Sequence, residues 1–263
     1  FTPGDVTVST DVSGQPKAQT LRDETLTTYE VGSKNRFLGN RLQVNADVYY
    51  NNYGGFQTAG INTSADLPPV PGAPPGPVFT FNTITSPVKS YGTELEVEAR
   101  PWENGTFNIN ASWTHARYGS FGQYAELFDS KVVPGVAPFL GSVSYDHSIL
   151  IGNETLLLHG DVRYLSAHDT SSITQTQARL IEGQPYAHVG GEAIADINAT
   201  LLIGSAYSIT AYVRNVTDNR FIPDGWTLAF VTPGAPGGPP NVISDRDGLS
   251  DPRTFGVVLS VKY

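Results

Sequence analysis

Between residues 89 and 114 the chain alternates with a period of two. Tyr91, Thr93, Leu95, Val97 and Ala99 form one set; Gly92, Glu94, Glu96, Glu98 and Arg100 form the other. After the turn-rich Pro101-Trp102-Glu103-Asn104-Gly105, Phe107, Ile109, Ala111 and Trp113 alternate with Asn108, Asn110, Ser112 and Thr114. In an extended chain successive side chains point to opposite faces, so this stretch predicts a hairpin with one apolar and one wet face. Taken alone, the apolar face fits any core.

The same period recurs along the chain. Residues 24–38 alternate, with Tyr29, Val31, Ser33, Asn35 and Phe37 against Glu30, Gly32, Lys34 and Arg36. After Gly39-Asn40, Leu42, Val44, Ala46, Val48 and Tyr50 alternate with Gln43, Asn45, Asp47 and Tyr49. Folding that hairpin so that Phe37 faces Leu42 predicts Lys34 diagonal to Asp47, a pair worth a fraction of about 1 kcal/mol. Further pairs are expected at 138–150 with 155–167, across Ile151-Gly152-Asn153-Glu154, and at 185–202 with 207–220, across Ile203-Gly204-Ser205-Ala206. The chain ends on RTFGVVLSVKY, with Val257, Leu259, Val261 and Tyr263 on one face. Residues 1–23, 54–86, 119–137, 168–184 and 221–252 read as loops, two of them carrying PPVPGAPPGP and GAPGGPP.

Composition narrows the class. Among the 263 residues are 27 Gly and 19 Pro, and 39% are apolar. No run of about 18 apolar residues predicts a membrane helix. Without Cys there is no disulfide framework or thiolate metal site, and a net charge of −9 argues against nucleic acid as a partner. Phe1 in place of an initiating Met predicts a piece of a longer protein.

The nine expected strands are mostly longer than the globular norm of about 5–6 residues. Their connections alternate long and short, so the short turns gather at one end of the sheet and the long loops at the other. That asymmetry is the mark of an all-β, antiparallel up-and-down transmembrane barrel with short periplasmic turns and long extracellular loops. Lipid offers no hydrogen bonds, so a spanning sheet has to close on itself, apolar outside and wet within. Tyr50, Tyr53, Tyr91, Phe107, Tyr164, Tyr207 and Tyr263 fall near strand ends, where interfacial girdles are expected. The Glu94-Glu96-Glu98 row then belongs to a lumen wall, with cross-strand Lys or Arg expected to neutralise it.

Four stretches resemble one family. LRDETLTTYEVGSKNRFLGNRLQVNADVYYNNY resembles a two-strand element of TonB-dependent outer-membrane receptors; YGTELEVEARP is similar to their Y-G-x-E-L-E-x-x-x-x-P strand; VRNVTDNRF resembles their R-N-L-T-D-x-x-Y element. The terminal aromatic, Tyr263, resembles the signal read by the barrel-assembly machinery. The resemblance spans roughly residues 20–263. It departs at Val216, where Leu is usual, and at the terminal Tyr, where Phe is more frequent. The family's barrel has about 22 strands, with a plug inside. The resemblance therefore implies that residues 1–263 are the C-terminal portion of a barrel, with plug domain, TonB-contacting box and earlier strands absent. A nine-strand sheet has two open edges and is expected to aggregate if expressed alone.

No catalytic constellation is visible, and no enzyme or cofactor is expected. His115, His147, His159, His168 and His188 lack metal-ligand spacing. Asn104, Asn153, Asn198 and Asn215 head sequon-like triplets, which in a bacterial outer membrane are coincidental. In receptors of the resembled family, aromatic and basic side chains of the loops and upper lumen capture ligand. By that implication Arg117, Tyr118, Tyr124, His168 and Trp226 are the ligand-contact candidates, set against the plainer readings of Tyr118 as girdle and Trp226 as loop packing.

The resemblance implies TonB-energised uptake of a scarce nutrient, a ferric siderophore foremost. Its partners would be the TonB complex through the plug, the barrel-assembly machinery through the last strand, and outer-membrane lipid. A passive porin or another outer-membrane barrel, and a secreted β-sheet binding protein, remain the alternatives.

Overall fold

The computed structural model describes residues 6–10, 16–20, 23–63, 79–121, 132–169, 188–221, 229–232, 241–244 and 250–262. The described elements are all strands: β1 (Val6–Thr10), β2 (Pro16–Thr20), β3 (Thr25–Phe37), β4 (Leu42–Thr63), β5 (Phe79–Trp102), β6 (Gly105–Tyr118), β7 (Phe139–Ile151), β8 (Glu154–Leu165), β9 (His168–Asp169), β10 (His188–Val189), β11 (Glu192–Ile203), β12 (Tyr207–Arg214), β13 (Ala229–Thr232), β14 (Asn241–Ser244) and β15 (Thr254–Val261). Nine of them form one sheet in the order β15-β12-β11-β8-β7-β6-β5-β4-β3. Every neighbouring pair is antiparallel, and β3 and β15 are its open edges.

The short turns lie at one end. Leu38, Gly39 and Asn40 all take positive φ between β3 and β4; Gly152 does so between β7 and β8, and Gly204 between β11 and β12. Tight hairpin turns use left-handed backbone, which glycine adopts without steric cost. Arg41 ties the first of these turns to the end of β5: its Nε donates to the Arg100 carbonyl at 2.9 Å, and its Nη2 donates to the Pro101 carbonyl.

The register carries the two-faced pattern across the whole sheet. One row runs Phe37–Leu42–Ala99–Phe107–Tyr145–Gly160–Ile197–Val213–Phe255, each residue directly opposite the next. Parallel rows hold Val44, Val97, Ile109, Val143 and Val162, and then Leu156, Leu201, Ile209 and Leu259. These side chains stand on the surface: Val31 is 74% exposed, Leu259 73% and Phe255 80%. A surface this large and apolar has no stable place in water; lipid is the solvent that fits it. The described buried hydrophobics are few and sit at the loop end, not inside a layered core.

Several sequence expectations need correction. Residues 54–86 are not a loop throughout, because β4 and β5 continue as a ladder to Thr63 and Phe79. The alternation was hidden by a bulge: Tyr53 pairs Val88 and Phe56 pairs Ser86, so Gly54 and Gly55 together oppose Pro87. Gly55 takes φ 71°, and Pro87, lacking an N–H, sits where the ladder is interrupted. The extra residue shifts the phase by one and puts Tyr53 and Phe56 on the same face. Residues 1–23 hold the β1–β2 hairpin, and 221–252 hold β13–β14. The segment 168–184 begins with His168-Asp169 paired to His188-Val189. β11 begins only after Gly190-Gly191, and β12 stops at Arg214 rather than 220.

β12 ends because Asn215 takes φ 49° and its side chain staples a turn. Its Nδ2 donates to the carbonyls of Asn219 and Asp251, and its Oδ1 accepts from the Asn219 N–H. Asp218, at φ 52°, accepts from the Arg253 N–H at 2.9 Å and the Arg220 Nε at 3.3 Å.

Candidate functional site in the lumen wall

Alternate residues of the same strands build the second face. From β4 through β11 run the row Gln43–Glu98–Asn108–Ser144–Asp161–Asp196 and the row Asn45–Glu96–Asn110–Ser142–Arg163–Ile194. Glu94, Glu96 and Glu98 all lie here. Cross-strand cations do not neutralise them as expected. Glu98 pairs with Arg100 two residues along its own strand at 2.6 Å, and Glu96 accepts from the neutral Asn45 Nδ2 at 3.1 Å. Glu94 shares with Glu30, Asp47 and Tyr49 a concavity of about 350 Å³. Lys34 stands opposite Asn45, and no ion pair joins it to Asp47.

A charged chain crosses β7, β8 and β11. His159 Nδ1 lies 2.7 Å from Asp146 Oδ1 and its Nε2 lies 3.5 Å from Asp161. Arg163 reaches Asp161 at 3.1 Å and Asp196 at 2.5 Å, and Asp196 accepts from the Asn215 N–H at 2.7 Å. The cation sits between two carboxylates that face each other directly.

Above this chain, toward the loop end, lies a second concavity of about 520 Å³. Glu94, Glu96, Arg163, Glu192 and Tyr164 line it with Leu140, Leu165, Ile194 and Phe221. Glu192 is only 6% exposed, and neither carboxylate oxygen has a hydrogen-bond partner among the described residues. A buried polar group without a partner costs free energy, so it marks a position kept for something other than stability. Sequence reasoning placed Glu192 within a strand and did not single it out; only its place in the polar set of that strand, with Asp196, Asn198 and Thr200, pointed inward.

The five residues expected to meet ligand do not converge. Arg117 and Tyr118 are neighbours and point to opposite faces. Arg117 is exposed on the lipid-facing side, its Nε donating to His115 Nε2 at 3.1 Å. Tyr118 turns inward, is 4% exposed, and packs with Val88 and Phe121, with Tyr53, Phe56 and Val133 around them. It is therefore not a girdle residue, and neither is Tyr53. His168 is buried and donates from Nδ1 to the Ser166 carbonyl at 3.1 Å. Tyr124 and Trp226 lie outside the described residues, as does the terminal Tyr263.

Apolar rows outside, a polar charged wall inside, short turns at one end and long connections at the other define part of the wall of a transmembrane β-barrel. A model of the family described as TonB dependent receptor-like, beta-barrel, matches residues 2–216. The chain belongs to that family, whose members are transporters of the Gram-negative outer membrane rather than enzymes. Among solved structures it is similar to the ferric yersiniabactin uptake receptor FyuA from Yersinia pestis, with a TM-score of 0.64 at 16% identity. That match covers 99% of this chain and 33% of the receptor. The ferric-catecholate import receptor Fiu from E. coli matches with a TM-score of 0.61 at 14% identity, over 92% of this chain and 28% of that one. The copper transporter OprC matches at 0.57 and 14%, over 90% and 31%. The chain spans about a third of the length of these proteins, and at such identities the likeness is one of fold.

Proposed function

We propose that these 263 residues are the C-terminal part of the barrel of a TonB-energised receptor that imports a scarce nutrient, a ferric siderophore first among the candidates. The observation that carries this reading is the two-faced nine-stranded sheet within the TonB-dependent receptor family. In such a protein the wall does no covalent chemistry. Loops and upper lumen hold the ligand, and work delivered through TonB to a plug releases it. FyuA and Fiu are named for ferric ligands, which supports the ferric choice; OprC, named for copper, keeps another chelated metal as the second reading.

The concavity beside Glu192 and Arg163 is the part of the described wall suited to contact cargo, with both charge signs set against leucine, isoleucine and phenylalanine walls. The test is uptake of iron-55 siderophores and of copper by cells with and without the gene, each with and without TonB. Gene- and TonB-dependent ferric uptake supports the proposal. Uptake independent of TonB makes the protein a passive pore, and TonB-dependent copper uptake alone selects the second reading.

A further inference from the structure

The outward turn of Arg117 leaves a charge arrangement that ligand capture does not use. Arg117 stands directly opposite Lys89 across β5 and β6, and both are exposed. Like charges directly opposed in a sheet destabilise it. Among the described residues neither Lys89 nor Arg117 forms an ion pair. The row through the pair runs Thr27–Asn52–Lys89–Arg117–Val132 and contains no carboxylate. Among the described residues the Arg117 side chain bonds only the ring nitrogen of His115, which leaves most guanidinium donors free.

The neighbours fix the depth of this pair. Two rungs nearer the membrane, Tyr91 faces His115 with ring centroids 5.0 Å apart, and Trp113 stacks on His115 at 6.4 Å. Tyr91 and Trp113 are exposed on the lipid face, 42% and 43%. Tyr and Trp on that face sit at headgroup level. Two cations with no ion pair among the described residues, two rungs farther out, therefore meet the charged part of the lipid headgroups. Arg presents parallel N–H groups that match phosphate oxygens, and Lys adds a point charge from the adjacent strand.

We propose that Lys89 and Arg117, with His115 orienting the guanidinium, form a binding site for the phosphate of a phosphorylated lipid headgroup in the outer leaflet. The site rests on the chain's place in a membrane wall and is independent of what is transported. It also accounts for a like-charge pair that the isolated sheet has no reason to keep.

The full-length receptor, purified in mild detergent, is titrated with bis-phosphorylated lipid A and with its monophosphoryl derivative, and bound lipid is counted by native mass spectrometry. The expected result is binding of the bis-phosphoryl form about fivefold tighter or more, the difference vanishing in Lys89→Gln/Arg117→Gln and shrinking in each single variant. Lys34→Gln, on the lumen face, is the charge-matched control and keeps the preference. Inorganic phosphate up to millimolar concentration is expected not to displace the lipid. The proposal is overturned if the wild-type protein does not discriminate between the lipids, if the double variant still does, or if inorganic phosphate competes as well as the lipid. Heat-modifiable mobility on gels verifies that each variant is a folded barrel.

Discussion

Asp161 and Asp196 face each other directly across β8 and β11, and Arg163 holds both, at 3.1 Å and 2.5 Å. Two carboxylates in that register repel; the guanidinium turns the repulsion into a clamp that joins two strands and, through Asp196, the Asn215 turn. Replacing Arg163 by Leu is expected to destabilise the barrel by on the order of 1 kcal/mol, because the cation is more than half exposed and screened by water. Adding Asp161→Asn should recover most of that loss. Denaturant unfolding in detergent compares the two variants, and equal stability of the single and double variants contradicts the clamp.

Asn215→Ala removes four side-chain hydrogen bonds from a residue that is 4% exposed and forces alanine into left-handed backbone. A loss of about 2–3 kcal/mol is expected. Asn215→Gly keeps the backbone at ease and should lose less. The ranking of unfolding midpoints separates the side-chain contribution from the backbone one.

The Asp218 carboxyl is held below the usual carboxylate range, first by the Arg253 N–H and then by Arg220. Its folded value lies below its unfolded one, so its contribution is present above the ordinary carboxylate range and is lost as pH falls through the depressed folded value. Exchange of the Arg253 amide hydrogen should accelerate over that acid window. Asp218→Asn should flatten the acid dependence, and an unchanged profile in the variant removes Asp218 as its source.

Gly92 lies beneath a lumenal tyrosine. A Cβ there would stand 2.6 Å from the Tyr49 hydroxyl, which bonds Thr114 at 2.7 Å across the intervening strand. Gly92→Val is expected to displace Tyr49 and to lower the yield of assembled barrel several-fold. Heat-modifiable mobility of outer-membrane fractions measures it.

Glu192→Leu should leave the barrel as stable as the parent or more so, since the unpaired buried carboxyl is removed. If the lumen concavity contacts cargo, the same change weakens ligand binding. A stability gain without any change in binding assigns Glu192 no part in transport.

The membrane-embedded part of the fold was legible in the sequence because each spanning strand carries its own two-residue period, and lipid outside and water inside keep that period intact from Phe37 to Phe255. It failed at Gly54-Gly55, where one extra residue shifts the phase, and in short pairs such as Val6–Thr10 with Pro16–Thr20, too short to carry a sustained period. The lumenal place of Glu94, Glu96 and Glu98 followed from parity once the asymmetry of long and short connections had put the opposite face on lipid. Arg117 and Tyr118 were grouped by sequence adjacency, although adjacent residues in a strand cannot share a face. Glu192 stayed hidden because burial at a strand start depends on Leu165, Phe221 and other residues far away in sequence.

The bulge has one more consequence. Gly54, Gly55 and Pro87 separate eight outer rungs, Phe56–Ser86 to Thr63–Phe79, from the register below. At about 3.3 Å per rung that hairpin rises roughly 25 Å farther from the lipid. Since the glycine pair absorbs mismatch, recombination can graft a different hairpin above it without rotating a single embedded side chain. The outer end of this ladder is thereby free to vary while the register that meets lipid stays fixed.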